Sequence, residues 1–237
     1  MDFIRNQFPN FLTCLNLLCG LTGIVLLSEQ GIAAFPTLGL LVFLAGVADF
    51  FDGFSARLLH SASGIGKDLD SLADAVTFGV LPGLAGYFAL KEAGAGQWAW
   101  VALSTPLFSV IRLARFNNDP GQSDSFKGVP TPANAFFLIF LLEGHFSGKG
   151  ILSEIALDSS TLSAIILISS YLLISPFRIL ALKFKSYAWR SNQEKYLLLG
   201  MSLLLIAFFQ KDAVALIYPA YLLLSFLHSF RLRKSGL

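Results

Sequence analysis

The sequence predicts an all-α membrane bundle of about eight transmembrane helices, and three observations carry the prediction. Of 237 residues, 55% are hydrophobic and only 14% charged, against about a quarter charged in an average soluble domain; mean hydropathy is +0.67. Apolar stretches of close to 20 residues, the length that crosses a hydrocarbon core, recur with short polar interruptions. Lys and Arg are distributed unevenly among those interruptions. A soluble domain is excluded, and a net charge of +2 gives no sign of a nucleic-acid partner.

The first span, at about 10–28, follows Pro9. It lacks the basic flank of a cleaved signal peptide and is too long for one, so it is expected to be retained. Asn10 and Thr13 share a face there; they read either as ligand contacts or as a helix start with Asn10 as cap. Cys14 and Cys19 are about 140° apart around the axis, which rules out a disulfide or a metal pair and leaves them as core thiols. The second span, at about 33–59, carries Asp49, Asp52, Gly53, Ala56 and Arg57, and the third, at about 68–91, carries Asp70 and Asp74.

The fourth, at about 96–116, ends on Arg112, Arg115 and Asn117, and residues 117–128 form the longest polar insert, short enough to be a site loop. Pro130 and Pro132 stiffen the start of the fifth, at about 131–147. The sixth, at about 160–179, holds the run SAIILISSYLLIS. The seventh and eighth, at about 195–210 and 213–231, are separated only by Gln210, Lys211 and Asp212.

An even number of spans puts both termini on one side. With the N-terminus in the cytoplasm, fourteen basic residues fall inside (Arg5, Arg57, Lys67, Arg112, Arg115, Lys127, Arg178, Lys183, Lys185, Arg190, Lys195, Arg231, Arg233, Lys234) and three outside (Lys91, Lys149, Lys211). That asymmetry predicts cytoplasmic termini and places the aspartates at cytoplasmic helix ends.

Carboxylates inside a membrane are costly and mark function. Separations of three (Asp49, Asp52) and four (Asp70, Asp74) set each pair on one helix face, so two opposed faces make a four-carboxylate cage. Only Arg57 and Lys67 lie near in sequence, which leaves negative charge best met by divalent cations. All-oxygen ligation without His or Cys suits Mg²⁺, Mn²⁺ or Ca²⁺. Gly53 and Ala56 let a ligand approach the backbone beside the cage, Arg57 offers a fork for phosphate, and Gly66 permits close packing. Asp68 fits neither pair. His60, His145 and His228 read as structural. The chemistry this points to is metal-assisted phosphoryl transfer at the cytoplasmic membrane surface.

The spacing D-x2-D-G-x2-A-R-x8-G-x3-D-x3-D, met at Asp49, Asp52, Gly53, Ala56, Arg57, Gly66, Asp70 and Asp74, resembles the CDP-alcohol phosphotransferase family with no departure. The resemblance implies a single domain over 1–237, with a six-helix core at about 9–186 and two extra helices at about 195–231, as a homodimer. It implies two divalent cations, Mg²⁺ or Mn²⁺, on Asp49, Asp52, Asp70 and Asp74, with Asp74 also the general base. Asn10, Thr13, Gly53, Ala56, Arg57 and Gly66 would contact the CDP-linked lipid.

Further stretches resemble the serine-accepting integral-membrane branch of that family: PNFLTCLNLLCG (9–20), IGKDLDSLADAVTFGVLPG (65–83), RLARFN (112–117), FKGVPTPANA (126–135) and, more thinly, YLLISPFRILALKFKS (171–186). Asn134 stands there where Ala is the expectation. The implied reaction is CDP-diacylglycerol plus L-serine giving phosphatidylserine and CMP, in the cell (inner) membrane with the site facing the cytoplasm. Arg112, Arg115, Asn117 and Lys127 are the candidates for the acceptor anion, and positive-inside anchoring accounts for the same basic residues equally well. Glycerol 3-phosphate, an inositol phosphate or an ether-lipid donor are alternatives within the family. A cation transporter is the alternative outside it; it explains the acids but not the accompanying Gly53, Ala56, Arg57 and Gly66.

Overall fold

A computed structural model describes residues 2–59, 64–118, 126–180, 189 and 192–234; the side chains of 2–6, 126, 127, 178 and 228–234 fall outside that description. The backbone has helical segments at all eight expected places. Helix α1 (Asp2–Gln30) passes through a 3-10 turn (Gly31–Ala34) into α2 (Phe35–Leu58), and α3 (Gly64–Asp74) continues through a π segment (Ala75–Val80) into α4 (Leu81–Glu92). A 3-10 run (Gly96–Leu103) leads into α5 (Ser104–Asn118). Helices α6 (Thr131–Phe146), a one-turn α7 (Ile151–Glu154) and α8 (Ser159–Ile174) follow, then α9 (Gln193–Phe209), a 3-10 turn (Gln210–Asp212) and α10 (Ala213–Lys234). Residues 7–58, 64–92 and 193–227 form three continuous helical stretches long and apolar enough to cross a bilayer, and the first, of 52 residues, is long enough to cross twice.

The faces of α1 show how the bundle meets its surroundings. Thr13, Asn16, Gly20 and Leu27 recur at helical spacing and are buried, whereas Phe11, Leu15, Leu18, Leu21 and Val25 are exposed. Helix α2 repeats the pattern: Leu38, Val42, Ala45 and Asp52 point inward and Leu40, Phe43, Val47, Phe50 and Phe54 outward. Polar groups inside and apolar groups outside are what a lipid solvent selects. Together with the long apolar helices, this makes the chain an integral membrane protein. Trp98 and Trp100 are exposed, and Trp100 packs edge-on against Tyr87, whose ring lies 5.8 Å from Lys91 Nζ. Such aromatic and basic side chains belong at a membrane–water interface.

The core is a continuous apolar cluster that includes Leu27, Phe35, Leu38, Phe78, Leu138 and Ile166. Close approach of α1 to the π segment depends on Gly20, where a Cβ would collide with Thr77. A π turn fits the sequence at this point, because Pro82 has no N–H to donate and its ring crowds the carbonyl four residues back. The Leu81 N–H instead reaches Val76 O, five residues back. Asp74, at the last position of α3, directly precedes this widened turn, and single π turns gather at functional sites.

Four details depart from the sequence reading. Helix α1 begins at Asp2 and carries Pro9 inside it, so Asn10 is not an N-cap. Cys14 lies on the outward face and is exposed; both cysteines are free, and only Cys19 is partly buried. The third span is two α-helices joined by the π segment rather than one uniform helix. Finally, a two-residue antiparallel ribbon pairs β1 (Phe126–Lys127) with β2 (Arg178–Ile179). Gly128 follows it with φ +77°, and its N–H reaches Phe177 O at 3.0 Å, while Val129 N–H reaches Leu172 O at 3.0 Å. This clasp ties the segment before α6 to the end of α8, at the same end of the bundle as the aspartates.

Candidate active site

The last three turns of α2 and the whole of α3 carry the four aspartates. One carboxylate oxygen from each of Asp49, Asp70 and Asp74 lies within 4.8 Å of the other two. Asp49 and Asp70 are in side-chain contact, and all four acids are within Coulombic reach of one another. Asp52 stands beside the trio rather than within it, because Thr13 Oγ1 donates to its Oδ2 at 2.6 Å and draws it toward α1. Asp68 is exposed.

Among the described residues, no Lys or Arg forms an ion pair with any of the four. Arg57 is exposed and its Nε donates to Gly53 O on its own helix at 2.9 Å; Lys67 Nζ donates to Asn117 O at 2.9 Å. Arg112 is within Coulombic reach of Asp74. One arginine cannot balance four acids in a membrane interior. Asp70 Oδ1 is buried with no hydrogen-bond partner. Donors that are all oxygen, clustered, undercompensated and partly unsatisfied fit a hard divalent cation. The cluster can hold a metal ion.

The residues expected to contact the CDP-lipid divide into two groups. A Cβ at Gly53 would meet nothing within 4 Å, so the backbone there is open to a ligand, with exposed Arg57 and half-buried Ala56 following on the same helix. Gly66 is half-buried near the start of α3. Thr13 is engaged with Asp52, whereas Asn10 is half-buried and donates to Gln7 Oε1 at 3.3 Å.

The two arginines expected to receive the acceptor differ. Arg112 is buried and its Nη1 donates to Thr131 Oγ1 at 3.2 Å, while Arg115 is exposed and its Nη1 donates to Ile174 O at 3.3 Å. Asn117 does not merely end its helix: its Nδ2 donates to Ser71 Oγ at 2.7 Å, joining α5 to α3. Lys127 lies in the ribbon, with its side chain outside the described part. His145 lies far along α6 and His60 is outside the described residues.

Residues 6–165 match the CDP-alcohol phosphatidyltransferase family. This chain belongs to that family. The CDP-diacylglycerol–serine O-phosphatidyltransferase of Bacillus subtilis is 34% identical over 136 residues, which is 57% of this chain and 75% of that protein. Proteins of the same name from Mycobacterium leprae and Helicobacter pylori are 39% and 36% identical over 142 and 134 residues. Those matches take in 56% of this chain, and 46% and 55% of the relatives' own lengths, so the chain spans about half of each.

The family match covers all four site aspartates and runs from within α1 to the start of α8. Within it, Asn16 is a site residue the sequence reading passed over. Its Nδ2 donates to Asp74 Oδ1 at 3.1 Å, and its backbone carbonyl accepts from Thr77 Oγ1 at 3.0 Å. The signal was available: Asn16 is one turn beyond Thr13 in an otherwise apolar run. Helix α10 lies wholly outside the family match, yet Tyr221 sits within Coulombic reach of Arg112.

Proposed function

We propose that this phosphatidyltransferase moves the phosphatidyl group of CDP-diacylglycerol to L-serine, giving phosphatidylserine and CMP. The observation that carries the proposal is the three-carboxylate cluster beside the open backbone of Gly53, with Arg112 within Coulombic reach of Asp74. The serine acceptor draws support from the relatives in Bacillus, Mycobacterium and Helicobacter, whose names specify serine.

Asp49, Asp70 and Asp74, with Asp52 beside them, would hold two divalent cations, Mg²⁺ or Mn²⁺. Bound there, such cations neutralise charge on the diphosphate and on departing CMP. Thr13 keeps the Asp52 carboxylate turned to α1. Gly53 and Ala56 leave room for the cytidine diphosphate, and Asn10, Arg57 and Gly66 border the same face. Asp74, held by Asn16, takes the proton from the serine hydroxyl as its oxygen attacks the phosphorus of the phosphatidyl group and the bond to CMP breaks. Arg112, with Asn117 and Lys127, forms the side that receives the serine carboxylate, and exposed Arg115 adds only positive charge at its rim.

In this reading the site and both termini face the cytoplasm, in the cell (inner) membrane, and the protein works as a homodimer. A single domain spans 1–237. Cross-linking in membranes tests the dimer. Gathering of the acids toward one end of the bundle favours surface transfer over a mid-membrane permeation site.

An acceptor panel tests the function: purified protein, CDP-diacylglycerol, Mg²⁺ or Mn²⁺, and one acceptor at a time, with CMP as readout. Serine should support release while glycerol 3-phosphate and inositol phosphate do not. Turnover with glycerol 3-phosphate alone would sink the serine assignment.

A further inference from the structure

Three buried polar atoms on the acceptor side have no hydrogen-bond partner: Ser109 Oγ, Arg112 Nε and Asn134 Nδ2. Folded proteins leave few such atoms, and each requires a reason. Ser109 and Arg112 are three apart on α5, and Thr131 and Asn134 are three apart on α6, so each pair shares a helix face. Arg112 Nη1 bridges to Thr131 Oγ1 at 3.2 Å. Through that bond Arg112 and Asn134 share one seam between α5 and α6, in which Thr131 and Asn134 are fully buried, while buried Ser109 packs on Gly79 of the π segment.

Helix α10 packs on that seam. Tyr218 Oη donates to Asn134 Oδ1 at 3.2 Å, which occupies the acceptor end of the amide and leaves the donor end free. Its ring stacks on Phe137 with centroids 4.3 Å apart. Tyr221, nearly one turn on, donates to Leu180 O at 3.0 Å and faces Arg112. Both tyrosines lie in a second apolar cluster with Val129, Ile179, Leu198 and Leu224, separate from the main core. A hydroxyl used to orient an amide whose own donor is unsatisfied is costly to bury unless a ligand completes it.

We propose that Asn134, oriented by Tyr218 from α10, is a further acceptor-binding residue, its Nδ2 and Arg112 Nε together donating to the acceptor's carboxylate. Tyr218 is then a positioning residue, and the C-terminal helix is a wall of the acceptor site. Two N–H donors, one on a cation, match an anionic oxygen pair and offer nothing to a neutral alcohol. The inference rests on the serine reading for its ligand class.

The test compares wild type, Asn134→Ala and Tyr218→Phe in detergent, with separate KM values for serine and for CDP-diacylglycerol. Asn134→Ala should raise the serine KM about three- to tenfold, with kcat and the CDP-diacylglycerol KM within about twofold. Tyr218→Phe keeps the ring stack on Phe137 and removes only the oxygen; it should give a smaller rise in the same constant. The double variant should be no worse than Asn134→Ala alone, since Tyr218 acts through Asn134. An unchanged serine KM in Asn134→Ala, or equal rises in both KM values, overturns the proposal. Failure of the serine reading shows separately, as wild type turning over a different acceptor; the same KM comparison with that acceptor then decides the role of Asn134.

Discussion

Asn16 Nδ2 on α1 donates to Asp74 Oδ1 on α3 at 3.1 Å, across 58 residues of sequence. That bond fixes the carboxyl proposed as general base, and Thr77 anchors the Asn16 backbone from the π segment behind it. Asn16→Leu keeps the bulk and removes the donor. A lost hydrogen bond to a charged group costs about 1.5–3 kcal/mol, which on the barrier is roughly a ten- to hundredfold fall in kcat. Rates of CMP release measure it; an unchanged kcat would mean that Asp74 needs no such support.

Asp74→Asn removes the proposed proton acceptor and one carboxylate oxygen from the cluster. Loss of a positioned general base lowers rates by about 10²–10⁴-fold. CMP formation should fall by at least that much while binding of CDP-diacylglycerol, read by ligand-induced thermal shift, is partly kept. Preserved transfer would remove Asp74 as the base.

Chelation should abolish CMP release, and Mg²⁺ or Mn²⁺ should restore it. Because the cation binds only the folded cluster, it should also raise the melting temperature with increasing concentration. Asp49→Asn and Asp70→Asn should both shift the activating concentration upward, since both carboxylates belong to the trio within 4.8 Å. Asp52→Asn should shift it less, because that side chain is turned to Thr13.

Much of this site was legible in the chain because spacing along one helix is a local property. The separations 49/52 and 70/74 dictate shared faces whatever the bundle does, and eight apolar stretches dictate eight helical segments. The partners of those faces were less legible. Asn16 meets Asp74, and Tyr218 meets Asn134 from 84 residues away, only through packing that no local pattern encodes. Cys14 looked like core because its run is apolar, but in a membrane apolar residues face outward as readily as inward. The π segment was hidden for another reason: Pro82 signals a disturbed helix, not how the disturbance is absorbed.

Gly128→Ala should destabilise the clasp between the α6 start and the α8 end. Its φ of +77° disfavours any Cβ, and a Cβ would collide with the Leu173 carbonyl. The expected cost is above about 1 kcal/mol, read as a lower melting temperature in detergent. Since the clasp lies at the end proposed to receive the acceptor, the serine KM should rise more than the CDP-diacylglycerol KM.

Arg112 and Arg115 separate two explanations that the sequence left equal, anchoring at the membrane surface and recognition of the acceptor. Anchoring asks only for a positive charge near the interface, which Lys supplies as well as Arg. Arg115 is exposed and bonds a backbone carbonyl, so Arg115→Lys should be nearly silent. Arg112 is 9% exposed, bonded to Thr131 and facing Asp74, with its Nε unpaired. Lys has no planar fork to reach Thr131 and a carboxylate together, so Arg112→Lys should raise the serine KM about tenfold or more. Equal, small effects at both positions would return Arg112 to anchoring and take the acceptor site away from the α5 end.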